Sequence, residues 1–266
     1  MNALRPLAVV TGASSGIGFE LAREFAVHGH DLLIAADEDA VHEAADRLET
    51  HGAEVRAVQA DLATLTGAET LVREVRSLQR PLSAVVLNAG IGRGGAFLDT
   101  DPADLARVID LNISSTVHLS RLLLEDLTAQ GAGRLLITSS VAAEMPGPYH
   151  AVYNASKAFL RSFGLALHTE LRGTGVTVTV LMPGPTDTRF FVRAGLLSTR
   201  LGRSRKDDPA LVARQAYGAM ASGRAQLVAG SLHTRAQELA GHALPQGAKA
   251  ALHRRMAEPG GSRSHL

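Results

Sequence analysis

A doubly wound α/β fold, with a parallel sheet of about seven strands and helices on both faces, is what this sequence predicts. Three observations carry that prediction. Seven short apolar runs recur along the chain, segments with helical periodicity separate them, and the connections are long enough for crossovers. Most of the runs are apolar throughout, as strands are when helices cover both faces of a sheet.

The strands are expected at residues 7–10, 32–35, 55–58, 84–87, 134–138, 176–181 and 226–229. Ile17, Leu21 and Phe25 recur at helical spacing after the first, a helix runs through 40–48 after the second, and Leu105, Val108 and Ile109 mark another after the fourth. This alternation is Rossmann-type, and such sheets bind ligands at the carboxyl ends of their strands. The 266 residues, 45% of them hydrophobic, suffice for one large domain, 1–257, and require no second. A substrate lid is expected at about 187–207: residues 189–206 hold six basic side chains, no acidic one, and Phe190 and Phe191. Residues 258–266, rich in Gly and Ser, are expected to form a flexible tail.

Composition narrows the function. Lys and Arg number 27 against 26 Asp and Glu, so no charge excess points to nucleic acid or to an anionic membrane, and a small-molecule partner is expected. The absence of cysteine excludes disulfides, thiolate metal sites and a cysteine nucleophile, and suits a reducing compartment. The eleven histidines are scattered without ligand spacing, so no metal site is expected. No stretch approaches membrane-spanning length, and residues 7–10 are too short for a signal-peptide core; a soluble cytoplasmic protein is expected.

The first strand runs directly into Thr11-Gly12-Ala13-Ser14-Ser15-Gly16-Ile17-Gly18, where an apolar-periodic helix begins. Gly12 can turn sharply, Gly16 lets the backbone approach a pyrophosphate, and Gly18 permits close packing of helix on strand, leaving the helix N-terminus for an anion. The competing reading is an ordinary βα turn that holds three glycines; strand, spacing and helix together favour cofactor binding.

Tyr153 and Lys157 are four residues apart on a predicted helix and project from one face. A phenol titrates near 10, and a neighbouring ammonium stabilises the phenolate, so the pair can act as a proton-transfer unit. Alone, such a pair is more often part of a solvated helix face. Together, the Thr-Gly-xxx-Gly-x-Gly turn and the Tyr-xxx-Lys pair resemble the short-chain dehydrogenase/reductase family in its single-domain branch, over roughly residues 7–190. Asn88-Ala89-Gly90 resembles the family motif that supports the central sheet and borders the cofactor. Asp61-Leu62 resembles the pair whose acid hydrogen-bonds adenine, the alternative being a helix cap. Pro183-Gly184-Pro185-Thr186-Asp187-Thr188 resembles the loop around the nicotinamide, with Thr188 on the carboxamide or phosphate, the alternative being a Pro/Gly turn. Ser140, thirteen residues before Tyr153, matches the family's catalytic serine better than Ser139 does. Asn112 resembles the asparagine that bends the fourth helix and holds a water linked to the lysine; otherwise it is a polar helix residue facing solvent.

The resemblance implies hydride transfer between nicotinamide C4 and the carbinol carbon of a secondary alcohol or ketone. Tyr153 would exchange the proton, Ser140 would orient the substrate oxygen, and Lys157 would bind the nicotinamide ribose and depress the tyrosine pKa. NAD is favoured over NADP, which stays open: Ala35-Ala36-Asp37-Glu38-Asp39 follows the second strand, no basic residue stands there or at Ser15, and Asp37 would repel a 2′-phosphate. The same acids suit the start of the next helix, and the family's acidic position falls at Ala36 or Asp37. Residues 142–150 are expected beside the substrate, through Glu144, Met145 and Tyr149, with His150 and residues 92–95 as further lining. A regulatory protein that binds NAD(H) with little turnover is the rival reading; it needs the turn but not Asn112, Ser140, Tyr153 and Lys157. Epimerases and dehydratases of the extended relatives are usually longer, with other glycine spacings. Relatives commonly form dimers or tetramers through the fourth and fifth helices, and Phe159, Leu160, Phe163, Leu165 and Leu167 exceed one apolar stripe, so a homodimer or homotetramer is expected.

Overall fold

A computed structural model describes residues 5–232, 234–235 and 244–259. Seven parallel strands form one sheet in the order β3-β2-β1-β4-β5-β6-β7: β1 Leu7–Thr11, β2 Asp31–Ala36, β3 Val55–Gln59, β4 Leu82–Leu87, β5 Gly133–Thr138, β6 Val176–Pro183 and β7 Gln226–Ala229. The expected doubly wound architecture is the observed one. Most of the tail, residues 260–266, lies outside the described residues.

The helices are α1 Gly16–Val27, α2 Ala40–Glu49, α3 Leu65–Ser77, α4 Pro102–Ile109, α5 Ser115–Gln130, α6 Ala151–Glu170, α7 Phe190–Arg193, α8 Arg200–Arg203, α9 Pro209–Ala221 and α10 Gln246–Ala257. Alternation along each strand divides them between two faces. Ala8, Val10, Leu32 and Ile34 pack with Leu21, Phe25, Val212 and Ala216 from α1 and α9, whereas Val9, Leu33, Val85 and Leu135 pack with Leu71, Leu123 and Leu160 from α3, α5 and α6. Covered on both sides, β1 and β2 are buried at every position, which is why they read as unbroken apolar runs. Edge strand β3 keeps Arg56 and Gln59 exposed.

Strand β1 pairs with β2 on one side and β4 on the other, so the chain reverses its direction of winding between them. A crevice opens there at the carboxyl ends of the strands. Helices α4 and α5 are joined by a π-helical turn, Asp110–Ser114, which widens the helix at Asn112 and turns that side chain inward. What the sequence shows as one fourth helix is therefore two, and the helix after Tyr153 is α6.

Candidate active site

One cleft of about 890 Å³ follows the carboxyl edge of the sheet from the β2 end to the β6 end, near the upper limit of small-molecule sites. At its centre, Gly12 and Gly16 have φ of +65° and +59°, conformations that glycine adopts without strain. A Cβ on Gly18 would overlap the Gly12 carbonyl oxygen, so only glycine brings α1 this close to the turn. Ser15 caps α1 without a side-chain hydrogen bond and its first turn holds no acid, whereas Thr64, Asp101 and Asp208 cap α3, α4 and α9 through their side chains. The first-turn amides and positive end of α1 thus face the cleft, with Ser14 and Ile17 beside them. These residues fit a dinucleotide pyrophosphate.

Asn88 ties the strand ends together. Its Nδ2 donates to the carbonyls of Thr11 (3.2 Å) and Gly12 (3.4 Å), its backbone N–H donates to Thr11 Oγ1 (3.0 Å), and its Oδ1 accepts from Thr138 Oγ1 (3.3 Å). Ala89 N–H shares the Thr11 hydroxyl at 3.0 Å. Gly90 then passes so close to two other side chains that a Cβ there would stand 3.1 Å from Asn112 Oδ1 and 3.2 Å from Lys157 Nζ.

Asn112 is fully buried: Oδ1 accepts from Ile91 N–H (2.9 Å), and Nδ2 donates to the Ile91 carbonyl (2.9 Å) and to Ser156 Oγ (2.9 Å). It does not face solvent. Lys157 Nζ donates to the Thr138 carbonyl at 2.9 Å and lies 5.7 Å from the centre of the Tyr153 ring. The two serines separate by their partners. Ser139 Oγ is spent on the Lys157 carbonyl (2.6 Å), while Ser140 accepts from Ala142 N–H, donates weakly to the Pro183 carbonyl (3.4 Å) and acts on the Tyr153 phenol.

The electrostatics differ from the expectation that Lys157 depresses Tyr153. Burial pushes the phenol up to about 12, with Ser140 acting in the opposite direction, and pushes the Lys157 ammonium down to about 8. Desolvation disfavours both charged forms, and the lysine points at a backbone carbonyl.

At the β2 end, Asp61 accepts from Arg107 Nη1 (3.0 Å) and Nη2 (3.2 Å) and from Ala63 N–H (3.1 Å), which holds its carboxyl below the usual range, the Arg107 hydrogen bonds first among the causes. Leu62 beside it is buried. Arg107 also stands 3.7 Å from exposed Asp37. Glu38 accepts from Ser14 Oγ (2.6 Å) and from Arg193 (2.9 and 2.8 Å). Sequence reasoning missed both guanidinium pairings, since each partner comes from a distant element.

At the β6 end, Pro183 closes the strand, Gly184 and Thr186 line the cleft, and Thr186 Oγ1 donates to the Gly184 carbonyl (2.9 Å). Thr188 packs its methyl on Gly16, where a Cβ would stand 2.8 Å away, and accepts from Phe190 N–H. The segment 187–207 leaves and rejoins the body at one place: Thr186 bridges Asp207, Asp187 N–H donates to the Asp207 carbonyl (2.9 Å), and Asp207 N–H to the Pro185 carbonyl (2.8 Å). Phe190 places its ring 5.1 Å from that of Tyr153. Residues Glu144, Met145 and His150 line the cleft as expected, with the Glu144 carboxylate 3.0 Å from Arg161. Tyr149 does not: its φ is +64° and its hydroxyl donates to Glu258 (3.0 Å). The missing wall comes from α10, where Leu252 and Met256 line the cleft, Lys249 donates to the Glu144 carbonyl and His253 meets the Pro148 carbonyl. Among the described residues no group of acids and histidines could hold a metal, and no helix is long and apolar enough to cross a membrane.

A family model described as short chain dehydrogenase matches residues 6–195. The chain belongs to the short-chain dehydrogenase/reductase family. This short-chain dehydrogenase is 34% identical over 193 residues to sulfoacetaldehyde reductase 2 of Chromohalobacter salexigens, covering 71% of this chain and 76% of that one. Two solved relatives have the same architecture. A family member from Burkholderia phymatum in complex with NAD has TM-score 0.80 and 27% identity, covering 90% of this chain and 92% of its own. Another from Sphingobium yanoikuyae in complex with NADPH has TM-score 0.79 and 28% identity, covering 89% and 92%. This short-chain dehydrogenase is thus an oxidoreductase with a nicotinamide nucleotide cofactor. The match ends before α9, β7 and α10 begin.

Proposed function

We propose that the chain interconverts a secondary alcohol and a ketone, with Tyr153 as general acid and base. The observation that carries this reading is the shared cleft: Ser140, Tyr153 and Lys157 line it beyond the same glycine turn that fits a pyrophosphate. A nicotinamide bound along it supplies hydride transfer at C4. Tyr153 moves the proton at the substrate oxygen, and the Ser140 hydroxyl orients that oxygen and stabilises charge developing on it. Lys157 holds the nicotinamide ribose and keeps a cation beside the phenol, 5.7 Å from its ring centre. Asn112 keeps the lysine in place by bracing Ile91, next to Gly90, and Ser156, next to Lys157.

Gly12, Ser14, Ser15, Gly16, Ile17 and Gly18 hold the pyrophosphate and adenosine ribose, with Asp61 and Leu62 at the adenine, Asn88 to Gly90 beneath, and Pro183, Gly184, Thr186 and Thr188 at the nicotinamide. NAD is the favoured cofactor, on the acidity of residues 37–39. Leu252, Met256, Met145 and Phe190 give the substrate an apolar wall. Exposed Phe159 on α6, 41% accessible, supports a homodimer or homotetramer, which the mass in solution tests.

The deciding experiment incubates the protein with a panel of secondary alcohols and ketones and either cofactor, following absorbance of the reduced nicotinamide. Turnover on a carbonyl or carbinol supports the reading. Tight cofactor binding with no turnover on any member would favour a regulatory protein instead.

A further inference from the structure

Acidic residues after β2 speak for NAD, yet the fold brings to them a cation that their sequence neighbourhood lacks. Arg193, on α7, donates from Nη2 to both oxygens of Glu38, at 2.9 and 2.8 Å, and Ser14 of the glycine turn donates to the same carboxylate at 2.6 Å. All three line the cleft. Glu38 stands twenty residues beyond Gly18, about the spacing at which dinucleotide folds place the acid that meets the adenosine ribose diol. Its carboxyl is held below the usual range, by the Ser14 hydrogen bond first and by Arg193 as well, against the opposing effect of burial.

Resting on the reading of this cleft as a dinucleotide site, we propose that Glu38 and Arg193 form an exchangeable pair at the adenosine ribose. With NAD, Glu38 accepts from the ribose hydroxyls. With NADP, the Arg193 guanidinium transfers from the carboxylate to the 2′-phosphate, so the protein binds both cofactors and Arg193 is the residue that admits the second. Four features support the exchange. The ion pair is exposed, with 45% of the Arg193 side chain and 30% of the Glu38 side chain accessible, and such pairs hold weakly. A guanidinium fork can match phosphate with two donors, and toward Glu38 Arg193 uses Nη2 alone. The neighbouring acids are already offset, because Arg107 binds Asp61 and stands 3.7 Å from Asp37, so a phosphate here does not meet an unopposed negative patch. Arg193 also sits on a four-residue helix outside the sheet, where a shift of the guanidinium leaves the core undisturbed.

The test is equilibrium binding of NADH and NADPH to the full chain, read from the fluorescence of the reduced nicotinamide. The unsubstituted protein is expected to bind the two within about tenfold of each other, a difference of about 1.4 kcal/mol. Arg193→Ala should raise the Kd for NADPH at least about tenfold more than that for NADH, and Arg193→Lys should recover part of the loss, since the charge remains without the fork. Glu38→Gln should shift the ratio the other way. An equal effect of Arg193→Ala on both cofactors, or none on NADPH, overturns the exchange, as does NADH binding with no NADPH binding in the unsubstituted protein. If neither cofactor binds, the dinucleotide reading of the cleft falls, an outcome distinct from failure of the pair alone.

Discussion

The imidazole of His150 lies flat against the ring of Tyr153, with 4.4 Å between centroids and 19° between planes. Its Nε2 is buried and meets no hydrogen-bond partner among the described residues, and burial pushes its pKa down to about 3, with His253 adding to the effect. The folded protein therefore holds His150 neutral. Between about 6.5, the ordinary value, and 3, the unfolded chain binds a proton that the folded chain refuses, so stability is full above that window and falls as the pH drops through it. Burial also lowers His253, in the same direction. Melting temperature should decline from pH 7 to pH 5, and His150→Phe should flatten that decline. Parallel pH profiles for the two proteins would remove His150 as the cause.

Tyr153→Phe removes one hydroxyl and leaves the cradle untouched. Cofactor dissociation constants should change little, while kcat falls by about a thousandfold or more, within the range of a lost general acid combined with a lost oxyanion contact. Stopped-flow single turnovers would locate the loss in the chemical step; retained turnover would sink the assignment.

Lys157→Met should weaken both. The variant loses the ribose contact and the cation beside the phenol, so the cofactor Kd rises and kcat falls together. An unchanged Kd in a fluorescence titration would argue against the ribose contact.

For Asn112→Ala the expected loss is structural first. Ile91 would lose the partner of its N–H and of its carbonyl while Ser156 Oγ keeps its bond to the Tyr153 carbonyl, and an unsatisfied buried group costs about 1–3 kcal/mol. The urea midpoint should fall at unchanged slope. A midpoint equal to that of the unsubstituted protein would mean that the π-turn is held by something else.

Gly18→Ala should fold but lose cofactor. The added methyl would drive α1 away from the Gly12 carbonyl, which displaces the first-turn amides. Circular dichroism should be unchanged and the dinucleotide Kd at least about tenfold higher, the scale of one displaced hydrogen-bonding group.

How far the sequence discloses this molecule depends on the range over which a feature is encoded. Strand β1 and the turn at Gly12, Gly16 and Gly18 are local, and their apolar run and spacing announced them. Asn112 was visible as a candidate but not as the centre of a π-turn, because the partners of its side chain, Ile91 and Ser156, lie 21 and 44 residues away. Arg193 looked like one of six lid cations. Its partner Glu38 lies 155 residues earlier, and no local pattern joins them. Tyr149 was expected at the substrate and turned away because its left-handed backbone directs the ring toward α10. Helix α10 has no clear sequence signature: Lys249, Leu252, His253 and Met256 recur at helical spacing, but the mixture of polar and apolar types hides the stripe.

The bridge between Thr186 and Asp207 means that the chain departs from the body and returns at neighbouring points. A segment with that geometry contributes to loop-closure entropy only logarithmically with its length, so residues can be added to it or removed at small cost to the sheet. Its replacement by a segment of another length and composition leaves Ser140 in the turn after β5 and Tyr153 and Lys157 on α6. The segment is therefore a separable unit of the fold with a natural cut and splice site on either side of it, and exchanging it would also take Arg193 away from Glu38.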